Sequence, residues 1–215
     1  MPSARASLAV LTLVCVLVWW QATRPAISPA TTAAGVAATS RCPLPPRLQR
    51  GDPPLQSTIP GGMTLPAIGN AKVQPLAGFS IEARVLGRED YRLGREAEFS
   101  PTDLALGWGR MTEDAVLSRL QISQSSRWYR YRWNDAPPIP LQEIIQSSAN
   151  MHMIPANRDI AAALAAIKPG QRVRIDGWLV EVQAKDGWRW RSSTTRNDHG
   201  PGGCEVIQVC AVAVE

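Results

Sequence analysis

The hydrophobic pattern of this 215-residue chain begins with an apolar run near the N-terminus, residues 8–20, LAVLTLVCVLVWW. A membrane-spanning helix needs about 20 apolar residues, whereas the apolar region of a signal peptide needs about 7–15. The run therefore predicts a signal anchor or a cleaved signal peptide within residues 1–23. We favour the anchor, because Trp19 and Trp20 suit a membrane interface and no good cleavage site follows.

Residues 24–75 show neither a helical nor a strand period, and they are rich in Pro, Ala, Thr, Ser and Gly. Such a composition is typical of an extended linker. We therefore predict a linker over 24–75, followed by one β-rich extracytoplasmic domain over 76–215.

The domain begins with strand-like alternation, since Phe79, Ile81, Ala83 and Val85 alternate with polar residues. Residues 121–133, QISQSSRWYRYRW, predict one long aromatic and polar strand. Residues 204–214 are apolar on both faces, which is typical of a central strand.

Between these strands, Asn157 can cap a helix over residues 158–167. Gly177 inside the next strand predicts a bulge or bend, and Lys185-Asp186-Gly187 predicts a hairpin turn. A helix between the third and fourth strands favours a mainly β domain, a small OB-like five-stranded barrel or a strongly bent sheet with one or two helices. An open α+β sheet is the alternative.

Charge is distributed unevenly along the chain. Residues 1–65 carry five Arg and one Asp, whereas residues 66–215 carry 18 basic and 17 acidic side chains. Because the domain is nearly neutral, charge gives no case for a nucleic-acid ligand. We expect a single-pass inner-membrane protein with its domain on the periplasmic side, and an envelope protein or polymer as the partner.

The chain has four cysteines, one of which, Cys15, lies in the apolar run. Cys204 and Cys210 are six residues apart in a predicted strand, roughly 20 Å at 3.3 Å per residue, and a disulfide needs Cα atoms about 4.4–6.8 Å apart. A disulfide would therefore join Cys42 to one of them, and Cys42–Cys204 is the candidate. The alternative is free cysteines that pack as small apolar side chains.

No metal or cofactor is predicted. The available ligands are His152, His199, Cys204 and Asp198, and no pair has the spacing of a zinc finger. Met residues flank His152, but in a strand they would face away from it, so these three side chains would not converge on copper.

A catalytic alternative uses Cys204 as a nucleophile with His152 or His199 as its base. Residues 199–204, HGPGGC, superficially resemble the Gly-Cys nucleophile segment of L,D-transpeptidases. That family has an Arg shortly after the Cys, and this chain has no Arg after Arg196. We therefore favour a non-enzymatic domain and keep a Cys-dependent envelope enzyme as the alternative.

The most distinctive segment is the aromatic and basic run over residues 127–133, and Trp188 and Trp190 repeat its theme. Aromatic rings beside cations can stack on ligands such as sugars. The alternative is that one aromatic row fills the barrel while the arginine stems cover its outside. The predicted binding residues are Arg127, Trp128, Arg130, Arg132, Trp188, Trp190, Arg196 and Asp198.

The chain resembles an uncharacterised family of bacterial exported or membrane-anchored proteins. The stretches that carry the resemblance are residues 99–109, 122–129 (ISQSSRWY), 148–157 (SANMHMIPAN), 177–181 and 188–205 (WRWRSSTTRNDHGPGGCE). The resemblance implies export and a single domain that includes residues 99–205, and it implies no activity.

Overall fold

The computed structural model describes residues 42–195 and 204–215, and all of them belong to one compact unit. The predicted leader over 1–23 lies outside the described residues, as do Arg196, Asp198 and His199. In the part of the chain that is described, no helix is both long enough and apolar enough to cross a membrane.

The described chain is mainly β, with three helices. The strands are β1 (Leu55–Ser57), β2 (Lys72–Asp90), β3 (Thr102–Gly107), β4 (Gln121–Ser125), β5 (Trp128–Arg132), β6 (Ser148–Pro155), β7 (Arg172–Gln183), β8 (Arg189–Arg191) and β9 (Glu205–Val214). The helices are α1 (Asp114–Leu117), α2 (Leu141–Gln146) and α3 (Arg158–Ala166).

Five strands close into a ring. The order is β2-β3-β6-β9-β7, and β7 pairs back onto β2, while β1 and β8 are attached to the ring at β2 and β7. The β6–β9 pair is parallel and the other ring pairs are antiparallel. Helix α3 joins the third and fourth ring strands, β6 and β7. The prediction of a small, mainly β, barrel-like domain is confirmed.

The barrel core forms because alternate residues of each ring strand are apolar. Leu104, Met151 and Ile175 are among the fully buried side chains of this core, and the apolar stripe of α3 packs against it. Asn157 caps α3, and its side chain accepts from the backbone N–H groups of Asp159 and Ile160 at 2.9 and 3.1 Å. The predicted helix and its cap are confirmed.

The predicted bulge lies in β7, where the pairing with β9 shifts between Asp176 and Gly177. A Cβ atom at Gly177 would lie 2.2 Å from the backbone oxygen of Gln208. Glycine is needed here because another backbone approaches closely.

The composition predicted a linker to residue 75, but residues 42–71 pack against the outside of the barrel. Cys42 and Leu65 are buried in a second apolar cluster with Trp178. Cys42 forms a disulfide with Cys210, with Cα atoms 5.4 Å apart. The candidate pairing with Cys204 was therefore wrong, because Cys210 is the cysteine of β9 that belongs to this outer cluster.

The predicted long strand over 121–133 is two strands. β4 and β5 form a separate two-stranded hairpin, joined by Ser126 and Arg127 with φ angles of 52° and 67°. Two-residue hairpin turns need positive φ and favour Asn-Gly. The sequence showed no turn because neither residue is glycine or asparagine.

Candidate functional site

The candidate site lies on the outer surface of β3 and β6, under the tip of the β4–β5 hairpin. Asp103 of β3 pairs in register with His152 of β6, and both side chains are buried. Strand alternation explains the position, since the neighbouring Leu104 and Met151 face the barrel core.

Arg127 connects the hairpin tip to this surface. Its Nη1 donates to Asp103 Oδ1 at 2.6 Å, and its guanidinium lies 3.9 Å from the centre of the Tyr91 ring. The backbone N–H of Arg127 donates to Tyr91 Oη at 2.8 Å. Non-glycine residues at positive φ cost about 1–2 kcal/mol each, and these contacts offset that strain.

Asp103 also holds two side chains of β6. Asn150 Nδ2 donates to Asp103 Oδ2 at 3.1 Å and to the Arg127 carbonyl at 3.0 Å. His152 Nδ1 lies 2.9 Å from Asp103 Oδ1, but the two atoms do not meet hydrogen-bond geometry. Gln124 Nε2 donates to Asn150 Oδ1 at 2.7 Å, which adds a second link from the hairpin.

A row of aromatic rings extends the cluster along one side. The Trp190 ring lies 4.8 Å from the His152 ring, and Trp188 follows at 6.1 Å from Trp190. Phe99 stacks on Trp188 at 5.5 Å. Trp188 and Trp190 are half-buried, so packing is their main role.

A cleft of about 440 Å³ lies beside this aromatic row. Its lining includes Phe99 of the row and an ion pair between Arg95 and Asp186 at 2.7 Å. Glu98 and Lys185 are the other charged residues of its lining.

The hairpin has one inner and one outer face. Tyr129 and Tyr131 point inward, and burial raises the pKa of Tyr129 to about 12 and also raises the pKa of Tyr131. The outer face, hereafter the hairpin strip, consists of exposed residues: Gln121, Ser123, Ser125, Trp128, Arg130 and Arg132.

The structure places six of the eight predicted binding residues, in three groups. Arg127 contacts Asp103, and Trp188 and Trp190 belong to the aromatic row. The three hairpin-strip members of the set are Trp128, Arg130 and Arg132. Arg196 and Asp198 lie outside the described residues.

The predicted binding residues did not include Asp103 and Asn150. A signal for Asp103 was present, because a carboxylate inside the otherwise apolar strand TDLALG has to be paired when it is buried. Nothing in the sequence indicated that its partner would be Arg127.

The catalytic candidates come partly together. Cys204 directly precedes β9, whose Val206 pairs with His152, so Cys204 is two residues along the chain from the pairing partner of His152. The Cys204 carbonyl accepts from the Ser193 N–H at 3.0 Å. Among the described residues, no three His, Cys, Asp or Glu side chains are grouped so that they could hold a metal ion.

Comparisons with protein-family models, with curated proteins and with solved structures found no match. Function is therefore inferred from the arrangement of the side chains.

Proposed function

We propose that this protein is a non-enzymatic, membrane-tethered binding domain that recognises an envelope protein or polymer through the hairpin strip. The observation that carries the proposal is the orientation of Trp128, Arg130 and Arg132. They project outward from a hairpin whose inner face and tip are both attached to the barrel.

The attachment of the hairpin supports a binding role. On the inner face, the rings of Tyr129, Tyr131 and Trp133 follow one another at 5.5 and 6.2 Å. Tyr131 and Trp133 pack against a third apolar cluster that contains Met111 and Ile144. Because these contacts order the hairpin strip before a partner binds, less conformational entropy is lost on binding.

Two features support a location beyond the inner membrane. The apolar run over residues 8–20 fits a signal anchor, and residues 21–41 would then connect it to Cys42. The buried Cys42–Cys210 disulfide fits an oxidising compartment such as the periplasm.

The test is crosslinking followed by pull-down of the full chain from envelope preparations. We expect the double variant W128A/R130A to lose the partner that the wild-type chain recovers. Arg50→Ala is the control, because the Arg50 side chain is 77% exposed and contacts Glu215, away from the hairpin. Recovery of the same partner by W128A/R130A, with folding unchanged, contradicts the proposal.

A Cys-dependent envelope enzyme is the second candidate, and the contact of His152 with Asp103 favours it. A base that lies beside a carboxylate is part of the usual arrangement that activates a cysteine. The test is the rate of Cys204 alkylation by iodoacetamide, located by mass spectrometry, as a function of pH. An enzyme requires reaction well below the ordinary thiol pKa of about 8.5 and a slower reaction in His152→Gln. If Cys204 reacts as an ordinary thiol in both the wild type and His152→Gln, the enzyme is excluded.

A further inference from the structure

The hairpin strip carries cations and hydrogen-bonding groups but no carboxylate among its six residues. Within the described chain, no acidic side chain forms an ion pair with Arg130 or Arg132. Arg130 instead donates to Ser125 Oγ at 2.9 Å. The strip is therefore a surface whose positive charge is not neutralised by the fold.

Polar groups lie directly beside these cations. Ser123 pairs with Arg130 and Gln121 pairs with Arg132 across the hairpin, so their Cβ atoms are about 5 Å apart. Strands of this length extend about 16 Å, and the two arginines are about 7 Å apart along β5. Trp128 lies at the tip end of the strip and is 36% exposed.

The opposite end of the strip continues into a cleft of about 290 Å³. Its lining includes Arg119, Gln121 and Asn134, together with one carboxylate, Asp135. Gln121 Nε2 donates to Asn134 Oδ1 at 3.3 Å, so amide groups lead from the strip into the cleft. The surface is thus elongated and mainly polar, and it continues into this cleft at the end away from the hairpin tip.

We infer that the hairpin strip binds an acidic polysaccharide, an inference that rests on the binding role proposed above. The carboxylates of such a polymer complement Arg130 and Arg132, and its hydroxyls match the amide and hydroxyl groups of β4. The exposed ring of Trp128 provides one apolar surface on which a sugar ring can stack.

The composition of the strip disfavours other classes of partner. Protein interfaces are built around several buried apolar anchors, and Trp128 is the single one here. A lipid surface needs aliphatic side chains that insert, and the strip has none. Single-stranded nucleic acid needs successive aromatic platforms, but Tyr129 and Tyr131 face the barrel.

The test measures binding of the full chain, in a neutral detergent, to polygalacturonate, with dextran as the uncharged comparison. We expect binding to polygalacturonate that weakens at about 0.5 M salt, where exposed charges are screened, and none to dextran. The double variant R130Q/R132Q is expected to bind at least roughly tenfold more weakly. The control R50Q/R110Q removes the same charge at other exposed positions and is expected to change binding less than twofold.

Absence of polygalacturonate binding, or equal binding by R130Q/R132Q and the wild type, overturns the inference. The inference is also overturned if the chain binds oligo(dT) or phosphatidylglycerol vesicles in place of polygalacturonate, and this binding depends on the same arginines. In that case the binding role of the strip remains intact. Retention by the strip variants of a crosslinked envelope partner overturns the proposed function itself.

Discussion

The guanidinium of Arg127 donates to the carboxylate of Asp103 at 2.6 Å, across 24 residues of sequence. The Asp103 side chain is fully buried and that of Arg127 is 18% exposed. This contact connects the turn of a separate hairpin to the wall of the barrel. Together with the Gln124–Asn150 hydrogen bond and the packing of Tyr131, this partly buried ion pair therefore holds the hairpin strip in its orientation.

Arg127→Met tests that dependence. The substitution keeps the length of the side chain but leaves the buried carboxylate of Asp103 without its cation, so we expect the free energy of unfolding to fall by about 3–5 kcal/mol. Urea unfolding followed by tryptophan fluorescence measures it. Arg130→Met, on the exposed face, is the matched control and should change stability by less than about 0.5 kcal/mol. Equal stability of the two variants would show that the ion pair does not hold the hairpin.

The disulfide provides a second prediction. Cys42 and Cys210 are 168 residues apart, and their bridge restricts the unfolded chain over that length. We expect C42S/C210S to be less stable by about 3–5 kcal/mol in chemical denaturation. Cys204 is not part of the bridge, so Cys204→Ser should lower the free energy of unfolding by less than about 1 kcal/mol. Non-reducing peptide mapping that joins Cys42 to Cys204 would contradict the assignment.

Gly177 provides a third prediction. An alanine Cβ would lie 2.2 Å from the Gln208 oxygen, which is backbone and cannot move without opening the β7–β9 pairing. We expect Gly177→Ala to lower the free energy of unfolding by at least about 2 kcal/mol. Gly61→Ala is the control, because no atom lies within 4 Å of its added Cβ, and it should change stability by less than about 1 kcal/mol. If Gly177→Ala is as stable as this control, the close approach of the Gln208 backbone to Gly177 is excluded.

Tyrosine ionisation provides a fourth prediction. Burial raises the pKa of all three tyrosines, Tyr91, Tyr129 and Tyr131, and that of Tyr129 to about 12. The unfolded chain releases these protons near pH 10, before the native Tyr129 does. Stability is therefore unaffected below the unfolded pKa and falls as the pH rises from about 10 to 12, by about 2–3 kcal/mol for Tyr129.

Phenolate absorbance during alkaline titration, with circular dichroism to confirm that the chain stays folded, measures this effect. Tyr129→Phe is the control, and it should remove the component near pH 12 and lessen the loss of stability. Appearance of all three phenolates near pH 10 in the folded protein would contradict the burial of these rings.

Local patterns predicted much of the barrel. The alternation from Phe79 to Val85, the Asn157 cap and the bulge at Gly177 each depend on neighbouring residues or on backbone preferences, which a sequence shows directly. The hairpin turn at Gly187 was predictable for the same reason, since its φ of 89° suits glycine.

Composition and local sequence gave wrong predictions for two segments whose structure depends on tertiary packing. Residues 42–71 are rich in proline and lack a period, yet Cys42 and Leu65 are buried because β7 and β9 present an apolar outer face that must be covered. The turn at Ser126 and Arg127 had no signal, because the contacts that stabilise it come from Tyr91 and Asp103 on other elements.

The sequence by itself predicted a small β-barrel or bent sheet with a capped helix over residues 76–215, and it predicted the aromatic and basic run as a binding segment; the first ring strand begins slightly earlier, at Lys72. Only the tertiary structure decided that Arg127 is partly buried against Asp103 while Arg130 and Arg132 remain exposed. The physical reason is that strand alternation assigns side chains to faces, whereas the partner of a buried charge is chosen by the whole fold.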